Sequence, residues 1–297
     1  MINRTASYKV FNTVGYIIII LLTAFCLLPF LLVISGSLSD NDTVLREGYA
    51  LIPQKFSTEA YDAIFTYPQN VLQAYGVSIT VTVSGTLLGA LLIAMAGYVL
   101  QRRDLKSRNT FSFLIYFTSI FQGGLIPWYI LVTTYLKLSD SLWALILPAL
   151  MNPFLIMLMR NYMKQSVPYE LIEAAKIDGA GDFRIFYTVM VPLSGPGIAT
   201  VALFLGLAYW NDWYLSMLYI STPSKYSLQF YLYSMLNSAK ALQDLALSGS
   251  GLSATVKVPG ETTKLAMAMV ATGPIIFLYP FIQRYFVKGL TIGAVKG

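Results

Sequence analysis

Long runs of apolar residues, separated by short polar segments, make up most of this chain. A helix needs about 20 predominantly apolar residues to cross a bilayer, and six runs are close to that length or longer. The predicted spans are residues 14–35, 72–100, 111–132, 141–160, 198–220 and 263–286. The pattern therefore predicts an all-α integral membrane protein with six transmembrane helices.

The distribution of Lys and Arg between the runs predicts how the protein is oriented. Loops rich in Lys and Arg remain on the cytoplasmic side. Thirteen of the 20 basic residues fall on one side of a six-span arrangement. They are Arg4, Lys9, Arg102, Arg103, Lys106, Arg108, Arg160, Lys164, Lys176, Arg184, Arg284, Lys288 and Lys296. Both termini and the loop 160–197 are therefore predicted to be cytoplasmic.

Small residues interrupt the second apolar run, whereas prolines interrupt most of the other runs. Gly85, Gly89 and Gly97 keep side chains small along the second run, so neighbouring helices can approach it closely. Prolines recur in the other runs, and the backbone carbonyls they free are tolerated only where protein or a watery cavity covers them. Such breaks are typical of a channel or transporter, and ordinary kinked helix packing is the other interpretation.

The polar segment 170–193, ELIEAAKIDGAGDFRIFYTVMVPL, carries the signals of two short helices. Pro168 suits a first helical turn, and Gly179 supplies a left-handed stop, which predicts a helix over residues 168–178. At ~1.5 Å per residue this helix is too short to cross a membrane. A second helix is predicted to begin at Asp182 and to place Phe183, Phe186 and Met190 on one face.

The first short helix has a face suited to binding another protein. Leu171, Ala174 and Ala175 follow i, i+3, i+4 spacing, and their size fits insertion into a groove. The alternative is a helix that lies on the lipid surface. Glu170 and Asp178 would be repelled by an anionic leaflet, which favours a protein partner.

Composition narrows the function classes. Hydrophobic residues make up 56% of the chain, charged residues 11%, and the mean hydropathy is +0.63, which indicates a membrane protein. The net charge of +6 is scattered and forms no basic patch, so no nucleic-acid partner is expected. The chain lacks His, its one thiol is Cys26, and no G-x-x-x-x-G-K-[ST] loop or catalytic constellation is visible. We therefore expect no catalytic residue, bound cofactor or metal in this chain.

A polar and aromatic patch in the fifth run is the candidate substrate pathway. Its members are Tyr209, Trp210, Asn211 and Asp212, with Trp213 directly after them. Aromatic faces stack on sugar rings, and Asn and Asp bind hydroxyl groups. The alternative interpretation is an interfacial aromatic belt with Asp212 capping a helix break. Asp212 is the only clear acid within a span, which argues against a proton-driven carrier.

Several motifs together resemble one family, the permease subunits of ATP-binding-cassette (ABC) importers. Segment 170–193 is similar to the EAA loop of these permeases, in which Glu-Ala-Ala, three residues, Gly and nine residues precede Ile-x-Leu-Pro. The matching positions are Glu173, Ala174, Ala175, Gly179, Val189, Val191 and Pro192, with two valines in place of Ile and Leu. Five further segments resemble the carbohydrate-uptake (maltose-type) branch of these permeases and its LplC-like oligosaccharide and polysaccharide group. They are IDGA at 177–180, AGYVLQRRDLKSRN, YWNDWYLSMLYI, GGLIPWYILV and KGLTIGAVKG.

The resemblance implies a type I ABC importer permease fold. Residues 1–70 would form an N-terminal transmembrane helix and external loop, and residues 71–297 a core domain of five transmembrane helices with a coupling loop at 160–197. Expected partners are a second homologous permease, two cytoplasmic ABC ATPase subunits that hold ATP and Mg²⁺, and an extracytoplasmic solute-binding protein. The expected substrates are oligosaccharides or polysaccharide fragments, acidic ones such as alginate or pectin pieces included. An ATP-independent carrier or channel for a polar small molecule is the alternative.

The family pattern also implies roles for residues of the EAA loop. The helix would seat in a cleft of the ATPase, with Ala174, Ala175 and Asp178 at the contact. Glu173 would pair with a basic group of the ATPase, and Gly179 would set the helix angle. The expected location is the bacterial cytoplasmic (inner) membrane, as a multi-pass protein.

Overall fold

A computed structural model describes residues 6–247 and 260–276 of the chain. Within these ranges the protein is helical, without a β-strand. The helices are α1 (Ala6–Ser37), α2 (Asn41–Glu47), α3 (Glu59–Ile64), α4 (Pro68–Gln101), α5 (Arg108–Ile120), α6 (Leu125–Ile130), α7 (Trp143–Leu150), α8 (Pro153–Ser166), α9 (Tyr169–Ile177), α10 (Asp182–Ile185), α11 (Val191–Leu193), α12 (Gly195–Trp210), α13 (Tyr214–Tyr219) and α14 (Leu228–Leu247). Turns of π-helix follow α6 at Leu131–Tyr135 and α10 at Phe186–Met190, and residues 261–276 are helical too.

The described residues form two compact units. One comprises the described residues 6–68, 234–247 and 260–274, and the other comprises residues 69–233 together with 275 and 276. The predicted division into residues 1–70 and 71–297 assigns 234–274 differently and stays a prediction. In the first unit the Ser37 hydroxyl hydrogen-bonds to the Tyr61 hydroxyl at 2.9 Å, which links α1 to α3.

Two of the predicted spans are single, uninterrupted helices long and apolar enough to cross a membrane. They are Val10–Ser37 within α1 and Pro68–Gln101, which is α4. Residues 10–31 of α1 are mostly exposed on all sides, as expected for a helix that faces lipid or another subunit, whereas Ser35 and Ser37 in its last turn are buried. One side of α4 is buried in the core of its unit.

Three other predicted spans, 111–132, 141–160 and 198–220, are interrupted within the described residues, the last of them at residues 211–213 between α12 and α13. α5 meets the helix Leu125–Tyr135 at an angle of 111°, and α7 meets α8 at 47°. Residues 182–193 meet α12 at 83°. If each bent pair counts as one crossing, the described residues have up to five spans, so the number of six stays a prediction.

The breaks have local causes in the sequence. Gly124 takes φ 86° between α5 and α6, a left-handed conformation that favours glycine. Between α7 and α8 the Asn152 side chain accepts the Leu155 N–H at 3.2 Å, and Pro153 occupies the first turn of α8. Turn and cap chemistry therefore overrides the continuous apolar pattern.

The core of the second unit surrounds α4. Its buried side chains come from α4, α7, α8, α9, α12 and the π-helical turn at Phe186–Met190. A Cβ atom at Gly97 would lie 3.1 Å from the Arg160 backbone nitrogen, and one at Gly85 would lie 2.5 Å from the Tyr209 ring. The prediction that small residues make α4 a central packing helix is confirmed at these contacts. The C-terminal part of span 263–286 and the motif KGLTIGAVKG lie outside the described residues.

Candidate functional site

The segment 168–193, here called the elbow segment, contains the predicted pair of short helices. Pro168 precedes the first of them, α9, in an extended conformation with ψ 133°. Gly179 ends it with φ 78°. The Gly179 N–H donates to the Lys176 carbonyl at 3.0 Å and the Ala180 N–H to the Ala175 carbonyl at 2.9 Å. These two bonds form a Schellman motif, which confirms the left-handed stop predicted at Gly179.

α9 has one buried face and one exposed face. Ile172 is buried, and Ala175 packs against the same core. The opposite face shows Leu171, Ala174 and Ile177 to solvent, with 86% of Ile177 exposed. Ala175, the third member of the predicted face, is partly buried because it lies on the side of the helix that meets the core. Its role at a partner contact stays a prediction. Ile177, which was not part of the predicted face, is the most exposed large apolar residue of α9.

The second part of the elbow segment departs from regular helix geometry. α10 is a single turn, and the π-helical turn Phe186–Met190 follows it directly. Phe186 and Met190 are buried, whereas Phe183 is 70% exposed. The predicted shared face of Phe183, Phe186 and Met190 is wrong, because the wider π turn that begins at Phe186 breaks the 3.6-residue period on which the prediction relied.

The acidic residues of α9 point away from the core. Glu173 and Asp178 are both exposed, and neither forms an ion pair within the described ranges. Their carboxylates are therefore open to a basic partner. The sequence prediction of a charged and apolar docking face is consistent with this geometry.

Four charged side chains near the elbow segment form a cluster that sequence reasoning did not find. We call Arg102, Asp104, Lys176 and Asp182 the ionic cluster. The Arg102 guanidinium donates to both carboxylate oxygens of Asp104, at 2.9 and 2.5 Å, and its Nη1 lies 2.8 Å from an Asp182 oxygen. Lys176 Nζ donates to Asp104 at 2.9 Å. The RRD sequence in a short polar loop of an apolar chain was the available signal.

The ionic cluster changes the proton affinity of its members. Arg102 and Lys176 hold the pKa of the Asp104 carboxyl well below its ordinary range. Hydrogen bonds to Asp104 and Asp182 raise the pKa of Arg102, and the bond to Asp104 raises the pKa of Lys176. Arg102, Asp104 and Lys176 therefore stay charged at neutral pH.

Comparison with known proteins identifies the family. Residues 89–292 match the family described as "Binding-protein-dependent transport system inner membrane component". This covers well over half of the chain. The chain belongs to this family.

Relatives resemble the permease over nearly its whole length. It is 38% identical to the "Polygalacturonan/rhamnogalacturonan transport system permease protein YtcP" of Bacillus subtilis, over 97% of this chain and 99% of the relative. It is 37% identical to "Protein LplC" of Bacillus subtilis, over 99% and 98% of the two chains. The crystal structure of a bacterial ABC transporter involved in import of the acidic polysaccharide alginate matches with TM-score 0.77 and 28% identity, over 95% of this chain and 98% of that chain.

These findings bear on the sequence predictions. The resemblance to the carbohydrate-uptake permeases and their LplC-like group is confirmed, as is the type I ABC permease fold. The relatives are named as permease proteins, so the prediction of a transport subunit instead of an enzyme is confirmed. The carrier or channel alternative is set aside for the same reason.

The predicted pathway patch of the permease separates into two pairs of residues. Tyr209 is buried and donates its hydroxyl to the Ile146 carbonyl at 2.7 Å, and Trp210 is buried as well. Asn211 is exposed, and its side-chain amide donates to the Leu207 carbonyl at 2.9 Å. An Asp212 carboxylate oxygen accepts the Leu215 N–H at 3.4 Å, so Asp212 has the helix-capping geometry of the alternative interpretation.

Aromatic side chains beside Asp212 are more exposed than Tyr209 and Trp210. Trp213 is 37% exposed, and its ring centroid lies 4.5 Å from that of Tyr233, which is also 37% exposed. Trp213 belongs to the patch that the sequence indicated, whereas sequence reasoning did not select Tyr233. The two rings form an accessible aromatic surface next to Asn211 and Asp212.

A second charged group lies between the loops before α7 and after α13. The Asp140 carboxylate accepts the N–H groups of Ser221 and Thr222, at 3.1 and 2.9 Å, and Lys225 Nζ lies 2.7 Å from it. We call these four residues the Asp140 cluster. Asp140 has φ 56°, a left-handed conformation that few residues other than glycine adopt.

Proposed function

We propose that this chain is a six-span permease subunit of an ATP-driven importer of oligosaccharides or polysaccharide fragments. It pairs with a second, homologous permease and receives substrate from an extracytoplasmic solute-binding protein. Two ABC ATPase subunits, which bind ATP and Mg²⁺, dock on the elbow segment from the cytoplasm. The protein lies in the bacterial cytoplasmic membrane with both termini on the inner side.

The observation that carries this proposal is the exposed face of α9. Leu171, Ala174 and Ile177 present apolar side chains on a helix whose other face is anchored in the core. An isoleucine that is 86% exposed next to two carboxylates fits a surface that a partner protein covers. Apolar contact area would supply affinity, and Glu173 would pair with a basic residue of the ATPase.

Gly179 and the ionic cluster support the proposal that movement passes from α9 to the membrane-spanning helices. The Schellman turn fixes where α9 ends and α10 begins, and the core holds Ile172 from behind. A push on the exposed face of α9 therefore reaches the membrane-spanning helices through packed side chains. ATP-driven closure of the docked subunits is the proposed source of that push.

The test of docking uses Ile177→Asp in the full transporter. A buried charge at the contact is costly, so we expect the ATPase to co-purify with this variant at a small fraction of the parent level. Ile52→Asp is the matched control, because Ile52 is 79% exposed and lies in the loop assigned to the outside. Normal recovery of the ATPase with Ile177→Asp would refute docking on this face.

The proposed orientation has its own test. Ala174→Cys, in a Cys26→Ser background, should react with a membrane-impermeant maleimide in inside-out vesicles and not in intact cells. Asp42→Cys, in the first loop, should show the reverse pattern. Labelling of Ala174→Cys from outside intact cells would contradict the cytoplasmic position of the elbow segment.

The substrate proposal is an acidic oligosaccharide of the uronate kind. A relative named for polygalacturonan and rhamnogalacturonan transport and an alginate importer of the same fold support it. A relative named for arabinooligosaccharides, 30% identical, supports a neutral sugar instead. Uptake of labelled digalacturonate, an alginate trisaccharide and arabinotriose by cells with the complete transporter distinguishes them, and preference for arabinotriose would contradict the proposal.

For the pathway we propose Asn211 and Asp212, with the exposed rings of Trp213 and Tyr233 as a surface for sugar stacking. Tyr209 and Trp210 then act as packing residues behind this surface. Asp212→Asn keeps an oxygen that can accept the Leu215 N–H but removes the charge. We expect normal membrane abundance with reduced uptake. Reduced abundance with unchanged uptake per molecule would mean that Asp212 is a structural cap only.

A further inference from the structure

The ionic cluster joins two parts of the chain that lie far apart in sequence. Arg102 and Asp104 belong to the loop between α4 and α5, whereas Lys176 and Asp182 belong to the elbow segment. Salt bridges connect them in the order Lys176, Asp104, Arg102, Asp182. Lys176 and Asp182 flank the Gly179 turn. Both sides of that turn are therefore attached to the end of α4.

Neighbouring contacts attach the same loop to α8 and α9. The Arg103 guanidinium lies 4.5 Å from the centroid of the Tyr169 ring, at the start of α9. Arg160 Nε, on α8, donates to the Leu100 carbonyl in the last turn of α4 at 3.2 Å. The end of α4 thus contacts both ends of α9 as well as the helix that precedes it.

The exposure of the ionic cluster argues against a role in overall stability. Its four side chains are between 21% and 54% exposed, and salt bridges in such positions contribute little to folding. Their geometry is nevertheless specific, since the Arg102 guanidinium engages Asp104 with two parallel bonds and Asp182 with a third. A charge network of this kind fixes the orientation of the groups it joins.

We propose that Arg102, Asp104, Lys176 and Asp182 are positioning residues for energy coupling. They hold α9 and the Gly179 turn against the end of α4, so that movement imposed on α9 reaches α4 as well as α8. α4 runs for 34 residues through the core of its unit, and it therefore carries the movement across the membrane. The inference rests on the proposed docking of an ATPase on α9, and it adds the route by which that movement leaves the elbow segment.

The test measures uptake per ATP hydrolysed in liposomes that contain the complete transporter. Asp104→Asn removes the central charge with little change in shape. We expect ATPase recovery and membrane abundance as in the parent, and a several-fold drop in uptake per ATP. Lys176→Gln should also lower the uptake per ATP. The double variant should have the same uptake per ATP as Asp104→Asn alone, because both changes break one network. Asp104→Glu should restore part of the coupling.

Lys106→Gln is the matched control, since Lys106 is an exposed cation of the same loop without an ion pair in the described part of the chain. Parent-like coupling in Asp104→Asn and Lys176→Gln, or an equal drop in Lys106→Gln, would overturn the proposal. If the transporter with Asp104→Asn does not assemble, the uptake per ATP of Lys176→Gln alone tests the proposal. The Lys176 side chain is at the surface, so its replacement should not disturb assembly. If no ATPase co-purifies with the parent permease, that result would overturn the proposed function, and the coupling route with it.

Discussion

The ionic cluster and the Asp140 cluster are both built on an aspartate beside a lysine, yet they restrain the chain differently. In the Asp140 cluster the carboxylate accepts two backbone N–H groups, from Ser221 and Thr222. In the ionic cluster the Asp104 carboxylate accepts hydrogen bonds from the side chains of Arg102 and Lys176. Bonds to the backbone fix the conformation of one loop, whereas bonds between side chains fix the position of one segment against another. The first arrangement suits a rigid loop, and the second suits two segments that move together during transport.

The residues with a left-handed backbone conformation also differ between the two clusters. The turn beside the ionic cluster uses Gly179, which adopts φ 78° without steric cost. The loop beside the Asp140 cluster uses Lys137 at φ 53° and Asp140 at φ 56°. Such strain persists only where surrounding contacts determine the backbone, and the bonds of Asp140 provide those contacts.

The largest expected effect on folding comes from Asp140→Ala. The substitution leaves two N–H groups and the Lys225 ammonium without their acceptor, and it removes the support for the left-handed backbone. We expect the thermal midpoint of the detergent-solubilised permease to fall by several degrees. Asp104→Ala, the matched change in the ionic cluster, should shift it much less. Equal shifts in the two variants would remove the distinction between the clusters.

Gly179→Leu should affect coupling more than folding. A left-handed conformation costs an L-residue roughly 1–2 kcal/mol, which is a modest part of the stability of a protein of this size. The altered end of α9 should nevertheless uncouple ATP hydrolysis from uptake in the assembled transporter. Gly181→Leu is the control, because Gly181 has φ −72° and no atom within 4 Å of a notional Cβ. Parent-like transport by Gly179→Leu would contradict the prediction.

Acid should weaken the Asp140 cluster. Lys225 and the N–H of Thr222 lower the pKa of Asp140 from its ordinary value of about 4. A depressed pKa adds stability that is present above the ordinary value and is lost as the pH falls through the folded-state value. The thermal midpoint of the parent should therefore fall below about pH 4, and Asp140→Asn should show a smaller fall over the same range. Identical pH profiles of the two proteins would exclude this contribution.

The smallest expected effect is a gain from Lys137→Gly. Glycine removes the strain of the left-handed conformation, but it also increases the entropy of the unfolded chain, so the net gain is at most about 1 kcal/mol. The thermal midpoint should rise slightly, without a change in uptake. A lower midpoint would mean that the Lys137 side chain makes a stabilising contact that outweighs the strain.

Sequence reasoning located the elbow segment but assigned its faces only in part. Gly179 was readable as a helix stop because it acts through local backbone geometry. α10 does begin at Asp182, but the Asp182 side chain forms no cap and pairs with Arg102 instead. Ala175 is partly buried because it follows Ile172 at i, i+3 spacing on the side of α9 that meets the core. The outward position of Phe183 differs from the prediction because the π-helical turn at Phe186–Met190 departs from the regular 3.6-residue period.

The sequence by itself determined the membrane setting, the helical class, the close packing around α4 and the family, because hydropathy, glycine spacing and short motifs are local properties. Only the tertiary structure decided where the spans break, which side chains of α9 remain exposed and which charges meet. Arg102 and Asp182 are 80 residues apart in sequence, and Asp140 and Lys225 are 85 residues apart. Pairs at such separations are chosen by the packing of helices against one another, and no periodicity along the chain encodes them.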